Sequence, residues 1–109
     1  MTAKEIVTVL ALETVALPEP DREVRGVYAG DLLSWVMGRA KADDAWVTVM
    51  TNANTIAVAT LADTSLVIVT DDSEMPIETA TLAKEKSVNV ARTNATTYDV
   101  CVRLGALLS

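Results

Sequence analysis

The stretch Asp21-Arg22-Glu23-Val24-Arg25-Gly26-Val27-Tyr28-Ala29-Gly30-Asp31-Leu32-Leu33-Ser34-Trp35 joins a β-prone run, a glycine corner and the start of a helix. Val24 to Ala29 reads as a strand, with Pro20-Asp21 as the turn before it. Gly30-Asp31 then opens a helix that runs to about Arg39, with Asp31 placed to accept amide hydrogens left free at its N-terminus. Leu32, Leu33, Trp35, Val36 and Met37 give that helix a broad apolar face. Strand, polar corner and helix form a unit that recurs along the rest of the chain.

On the N-terminal side, Thr2-Ala3-Lys4-Glu5 has the form of a capping box, and Ile6, Val9 and Leu10 follow at helical spacing, which predicts a helix over 3–11. Thr14 to Leu17 is a short β-prone run stopped by Pro18 and Pro20. On the C-terminal side, Trp46 to Met50 is an apolar, β-branched run of the kind found in strands buried on both faces. A corner at Thr51-Asn52-Ala53-Asn54 leads to a helix over Ile56–Ala62, then to the strand Leu66–Val69. Thr70 to Glu74 is a polar loop, Pro76 suits a first helical turn, and a helix follows over Thr79–Lys86. Val88–Ala91 is a last strand, and Thr96 to Asp99 is a capping pattern for a closing helix that carries Tyr98, Cys101, Val102, Leu104 and Leu108. Such alternation predicts one α/β domain over residues 1–109, a three-layer α/β/α stack on a mostly parallel sheet of about five strands.

Composition narrows the function classes. Fifteen acidic residues against nine basic ones give a net charge of −6, and the bases are scattered. Nucleic acids and anionic membranes are bound by clustered Lys and Arg, so neither is an expected partner. The chain has no histidine and one cysteine. The usual general base and the commonest transition-metal ligand are therefore missing, as is any disulfide within the chain. Cys101 lies in an apolar helical pattern and reads as a small buried hydrophobe. The run Ile6 to Leu12 is too short to span a bilayer, and no cleavage-site pattern follows it, so a cytoplasmic location is expected.

Ligands of open α/β sheets bind beyond the carboxyl ends of the strands. That rule selects four corners: Asp31 with Ser34, Thr51 to Asn54, Thr70 to Glu74, and Thr93-Asn94. Their hydroxyls, amides and acids suit hydrogen-bonded recognition of a small polar molecule, although helix caps and turns call for the same residue types. Asp71, Asp72 and Glu74 do not match a calcium loop, and no metal or cofactor is expected. Ser34 has no histidine partner and no pair of carboxylates is set by spacing for acid/base work, so no catalytic residue is assigned.

Asp21, Arg22 and Gly26, followed by Gly30-Asp31-Leu32-Leu33-Ser34, resemble the DRTGG domain, a small regulatory module similar in fold to the N-terminal domain of HPr kinase. The likeness extends to the strands at 46–50 and 66–70 and spans nearly the whole chain. It implies a regulatory rather than catalytic role, and for stand-alone members an association with iron-only hydrogenase systems. One departure falls in the motif itself. After the central strand this chain has Thr70-Asp71-Asp72 where the resemblance implies Thr-Gly-Gly, which removes backbone freedom and adds negative charge.

These readings converge on a non-enzymatic regulatory domain that binds a small polar ligand, such as a nucleotide, or a partner protein. Asp31, Ser34, Thr51, Asn52, Asn54 and Thr70 are the expected ligand-binding rim. The alternative is a homodimeric scaffold without a pocket, associating through Trp35, Val36 and Met37.

Overall fold

The computed structural model describes all of residues 1–109. In chain order the elements are α1 (Ala3–Val9), β1 (Glu13–Ala16), β2 (Gly26–Ala29), α2 (Leu33–Arg39), β3 (Asp44–Thr48), α3 (Ala53–Ala62), β4 (Leu66–Val69), α4 (Ile77–Glu85), β5 (Val90–Arg92) and α5 (Thr97–Leu108). The strands form one five-stranded sheet in the order β1-β5-β4-β3-β2. β2, β3, β4 and β5 run parallel, and β1 closes one edge antiparallel to β5.

The period of two along β3 and β4 divides the core. Ala45, Val47, Leu66 and Ile68 point to one face, where they meet Ile6 and Leu10 of the α1 region and Val100 and Leu104 of α5. Trp46, Val67 and Val69 point to the other, against Val36 of α2, Ile56 and Ala59 of α3, and Ala83 of α4. Both strands are buried along their whole length, so neither shows an alternating polar pattern in sequence. The result is the expected three-layer α/β/α stack on a mostly parallel sheet. No helix is long and apolar enough to cross a membrane.

Local signals explain where most helices start. Thr2 and Glu5 form the capping box, with Glu5 N–H donating to Thr2 Oγ1 at 3.2 Å and Thr2 N–H to Glu5 Oε1 at 2.8 Å. Thr96 caps α5 by accepting from Asp99 N–H at 3.1 Å. Each such cap contributes about 1 kcal/mol. α3 starts at Ala53, three residues before the expected Ile56, because Asn52 caps it by accepting from Thr55 N–H.

Two boundaries move for a reason that bears on the site. β3 spans Asp44–Thr48 rather than Trp46–Met50, and α2 starts at Leu33 with no side-chain cap. Asp31 does not cap α2. Its Oδ1 accepts instead from Thr48 Oγ1 at 2.8 Å and from Val49 N–H at 2.9 Å, which turns the chain out of the sheet after Thr48. β2 begins at Gly26 rather than Val24, whose amide donates to the Met1 carbonyl at 2.8 Å.

Candidate functional site

Because β2 to β5 are parallel, the loops after each of them lie along one edge of the sheet. A continuous polar chain crosses that edge. It runs from Asp31 to Thr48, then through the Thr48 carbonyl to Thr70 N–H at 3.1 Å. Thr70 Oγ1 lies 2.8 Å from Thr97 Oγ1 and 2.9 Å from Asp71 Oδ2, and Thr97 Oγ1 lies 3.3 Å from the same carboxylate oxygen. The backbone finishes the path, with Asp71 N–H donating to the Ala95 carbonyl at 2.8 Å and Asp72 N–H to that of Thr93 at 3.0 Å. Four loops are thereby tied into one rim.

The six expected ligand-binding residues divide into two groups on this rim. Asp31, Asn52 and Thr70 are engaged within the chain: Asp31 joins two loops, Asn52 caps α3, and Thr70 is fully buried among hydroxyls. Ser34, Thr51 and Asn54 flank the first two loops with side chains free of intramolecular hydrogen bonds, Ser34 and Asn54 exposed and Thr51 half-buried. Thr48 and Thr97, which connect the rim, are not among the six residues expected from sequence. A threonine at the end of a β-branched strand has no pattern of its own, and Thr97 looks like part of a helix cap.

The Thr70-Asp71-Asp72 corner uses a backbone conformation that glycine enters most readily. Asp71 and Asp72 both sit in the left-handed region, with φ of 60° and 55°. Aspartate tolerates that region better than most residues because its short side chain bonds locally. The two aspartates also add negative charge to the corner. Asp72 is met by Arg92, which also pairs with Glu13 at 3.3 Å. The Arg92 Nε–H is buried without a partner. A shallow cavity of about 240 Å³ opens beside these residues, Thr93 and Asn94. No group of three or more acidic or thiol side chains is placed to hold a metal ion.

The opposite end of the sheet is held by ion pairs and hydrogen bonds. Arg22 reaches Asp43 at 3.2 Å and both the carbonyl and the carboxylate of Asp63 at 2.7 Å. Burial opposes the charge on Arg22, but hydrogen bonds to Asp63 and Asp43 outweigh it and raise its pKa. Asn89 staples the same end. Its amide joins Glu19 N–H, the Glu19 carbonyl and the Ser65 carbonyl. Asp21-Arg22 and Gly30–Ser34, adjacent in the sequence resemblance, thus lie at opposite ends of the strands.

The expected interface residues also separate. Val36 is fully buried against the sheet because its position on α2 faces the core, so it forms no part of an exposed face. Trp35 and Met37 are 51% and 52% exposed, with Leu32 beside them at 58%. Cys101 is half-buried rather than enclosed, and burial raises its thiol pKa.

No family model matches the chain, and no curated protein matches it. Among solved structures, the fold is similar to that of the CBS and DRTGG domains of the regulatory region of a Clostridium perfringens pyrophosphatase, in complex with its activator diadenosine tetraphosphate. The TM-score is 0.68 at 19% sequence identity, and the match covers 94% of this chain. This chain spans 45% of the length of the one it matches. The likeness supports a DRTGG-like fold.

Proposed function

We propose that this domain is a non-enzymatic regulatory module that recognises a small polar ligand of nucleotide type at the rim formed by the loops after β2, β3 and β4. The observation that carries the reading is the Asp31 carboxylate, which locks the β2 and β3 loops together and leaves Ser34, Thr51 and Asn54 free beside it. A rim held rigid by internal bonds loses little conformational entropy when it takes up a ligand. The pyrophosphatase regulatory region of like fold was crystallised with a dinucleotide activator, which lends support to this ligand class. None of the principal surface cavities is lined by the six rim residues, so the ligand is expected to lie across an open shelf. Nothing in the fold speaks for a link to iron-only hydrogenase systems.

A panel of mono- and dinucleotides tests this by thermal melting. A ligand present at about a hundred times its Kd adds about 2.7 kcal/mol to native stability. Asn54→Ala and Ser34→Ala are expected to remove that shift without changing the melting of the free protein. A panel that leaves Tm unmoved contradicts the reading.

The exposure of Leu32, Trp35 and Met37 favours a second reading, a scaffold that pairs through the outer side of α2. Light scattering distinguishes it: a dimer mass abolished by Trp35→Glu supports pairing, and a monomer mass at all concentrations contradicts it.

A further inference from the structure

Only nine basic residues are distributed over this acidic chain, yet three of them, Arg25, Arg39 and Lys41, line a single groove of about 480 Å³. Its other lining residues are Gly26, Val27 and Tyr28 of β2, with Ala42 and Asp44 where β3 begins. β2 stands last in the sheet order, so its outer backbone groups have no strand partner. The three cations are available to a ligand. Arg39 is steadied by stacking 3.7 Å over the Trp35 ring rather than by a carboxylate. Lys41 takes part in none of the ion pairs, and Arg25 keeps 71% of its side chain exposed while touching Asp43 at 3.4 Å.

One carboxylate also lines the groove, and it is turned inward. Asp44 is 8% exposed, and its Oδ2 accepts from the backbone N–H of Lys41 at 2.8 Å. Its Oδ1 occupies the space beside Gly26, 2.7 Å from where a Cβ would stand, which is why residue 26 carries no side chain. The groove therefore presents net positive charge on a protein whose net charge is −6.

We propose that the open edge of β2 takes up an acidic, extended segment of a partner protein as an added strand. Backbone hydrogen bonds to β2 would set its register, and acidic side chains would meet Arg39 and Lys41 beside the groove. One feature favours a strand over a compact anion: Gly26 to Tyr28, which line the groove, are consecutive residues of an extended edge strand that spans about 10 Å from Gly26 to Ala29 at about 3.3 Å per residue. Arg25 and Lys41 lie at the end where β2 begins, so they would meet acidic side chains at that end of the added segment. This surface lies on the side of the sheet, away from the rim proposed for the small ligand, and the two assignments stand or fall separately.

The test uses the full chain and a labelled peptide of about twelve residues alternating Glu and Val. Anisotropy reports binding at about 50 mM and about 500 mM salt. Hydrogen exchange reports which amides the peptide protects. Expected results are binding that weakens about tenfold or more at the higher salt and in the Arg39→Glu/Lys41→Glu variant, with slowed exchange in residues 26–29. Both substituted side chains are exposed, and unchanged melting of the variant excludes a folding defect. Absence of binding overturns the proposal. So does binding that the double variant leaves intact, or that gives no protection in β2. Equal protection of β2 by inorganic triphosphate overturns strand addition in favour of an anion pocket.

Discussion

The paired left-handed aspartates after β4 make a prediction that separates backbone geometry from charge. Asp72 has φ of 55°, and its side chain is 77% exposed with one ion pair, to Arg92 at 3.4 Å. Asp72→Gly and Asp72→Ala both remove the carboxylate, so the loss of that exposed pair, worth at most about 1 kcal/mol, cancels between them. What remains is the backbone. Alanine in the left-handed region costs about 1–2 kcal/mol that glycine does not, offset in part by the larger entropy of glycine in the unfolded chain. The expected net difference is about 1 kcal/mol in favour of glycine. For a domain of this size that corresponds to a Tm about 4–8 °C higher for Asp72→Gly than for Asp72→Ala. Differential scanning calorimetry of the two variants measures it. Variants that melt together, or an alanine variant that melts higher, would show that the corner does not hold Asp72 in the left-handed conformation.

Other expectations follow from the ends of the sheet and the helix caps. Asn89→Leu removes the staple to Glu19 and leaves three backbone groups without their partner, which should cost about 3 kcal/mol in urea unfolding. An unchanged midpoint would contradict the staple. The Glu5 carboxyl lies below its ordinary 4.5 because the Thr2 amide and then the Thr2 hydroxyl hydrogen-bond to it. A carboxylate depressed on folding contributes stability that is present above its unfolded pKa and is lost as pH falls through the lower folded value. Tm should therefore fall further in acid for the native chain than for Glu5→Gln; parallel curves would refute this. Burial raises the Cys101 thiol above its ordinary 9.0, so iodoacetamide should label the folded chain at neutral pH more slowly than the urea-unfolded chain. Equal rates would contradict the burial of its sulfur.

The fold was legible because its strands and caps carry signals that act locally. The run Leu66–Val69 is apolar at every position because helices cover both faces of β4, and its limits match the reading. Thr2 and Thr96 cap the helices that their sequence patterns indicate. Asp31 shows where such reasoning stops. In sequence it stands where a helix cap should, but the end of β3 offers Thr48 and the loop after it offers Val49 as partners, and only the tertiary arrangement brings them within reach. Val36 fails for a related reason. An apolar helix face can be recognised in sequence, yet which of its residues meets the sheet depends on how the helix is rotated, and here Val36 turns in while Trp35 and Met37 turn out. Arg22 stands out in sequence only through the family resemblance, and its partners left no pattern, since Asp43 and Asp63 are ordinary turn residues until the sheet aligns them.

The claim that the rim recognises a nucleotide-type ligand is tested most directly by a backbone NMR titration with diadenosine and mononucleotide polyphosphates. The account predicts saturable shift changes concentrated at residues 31–34, 51–54 and 70–72, lost in Asn54→Ala. Shifts that are absent, or that gather around Arg25, Arg39 and Lys41 instead, would contradict it.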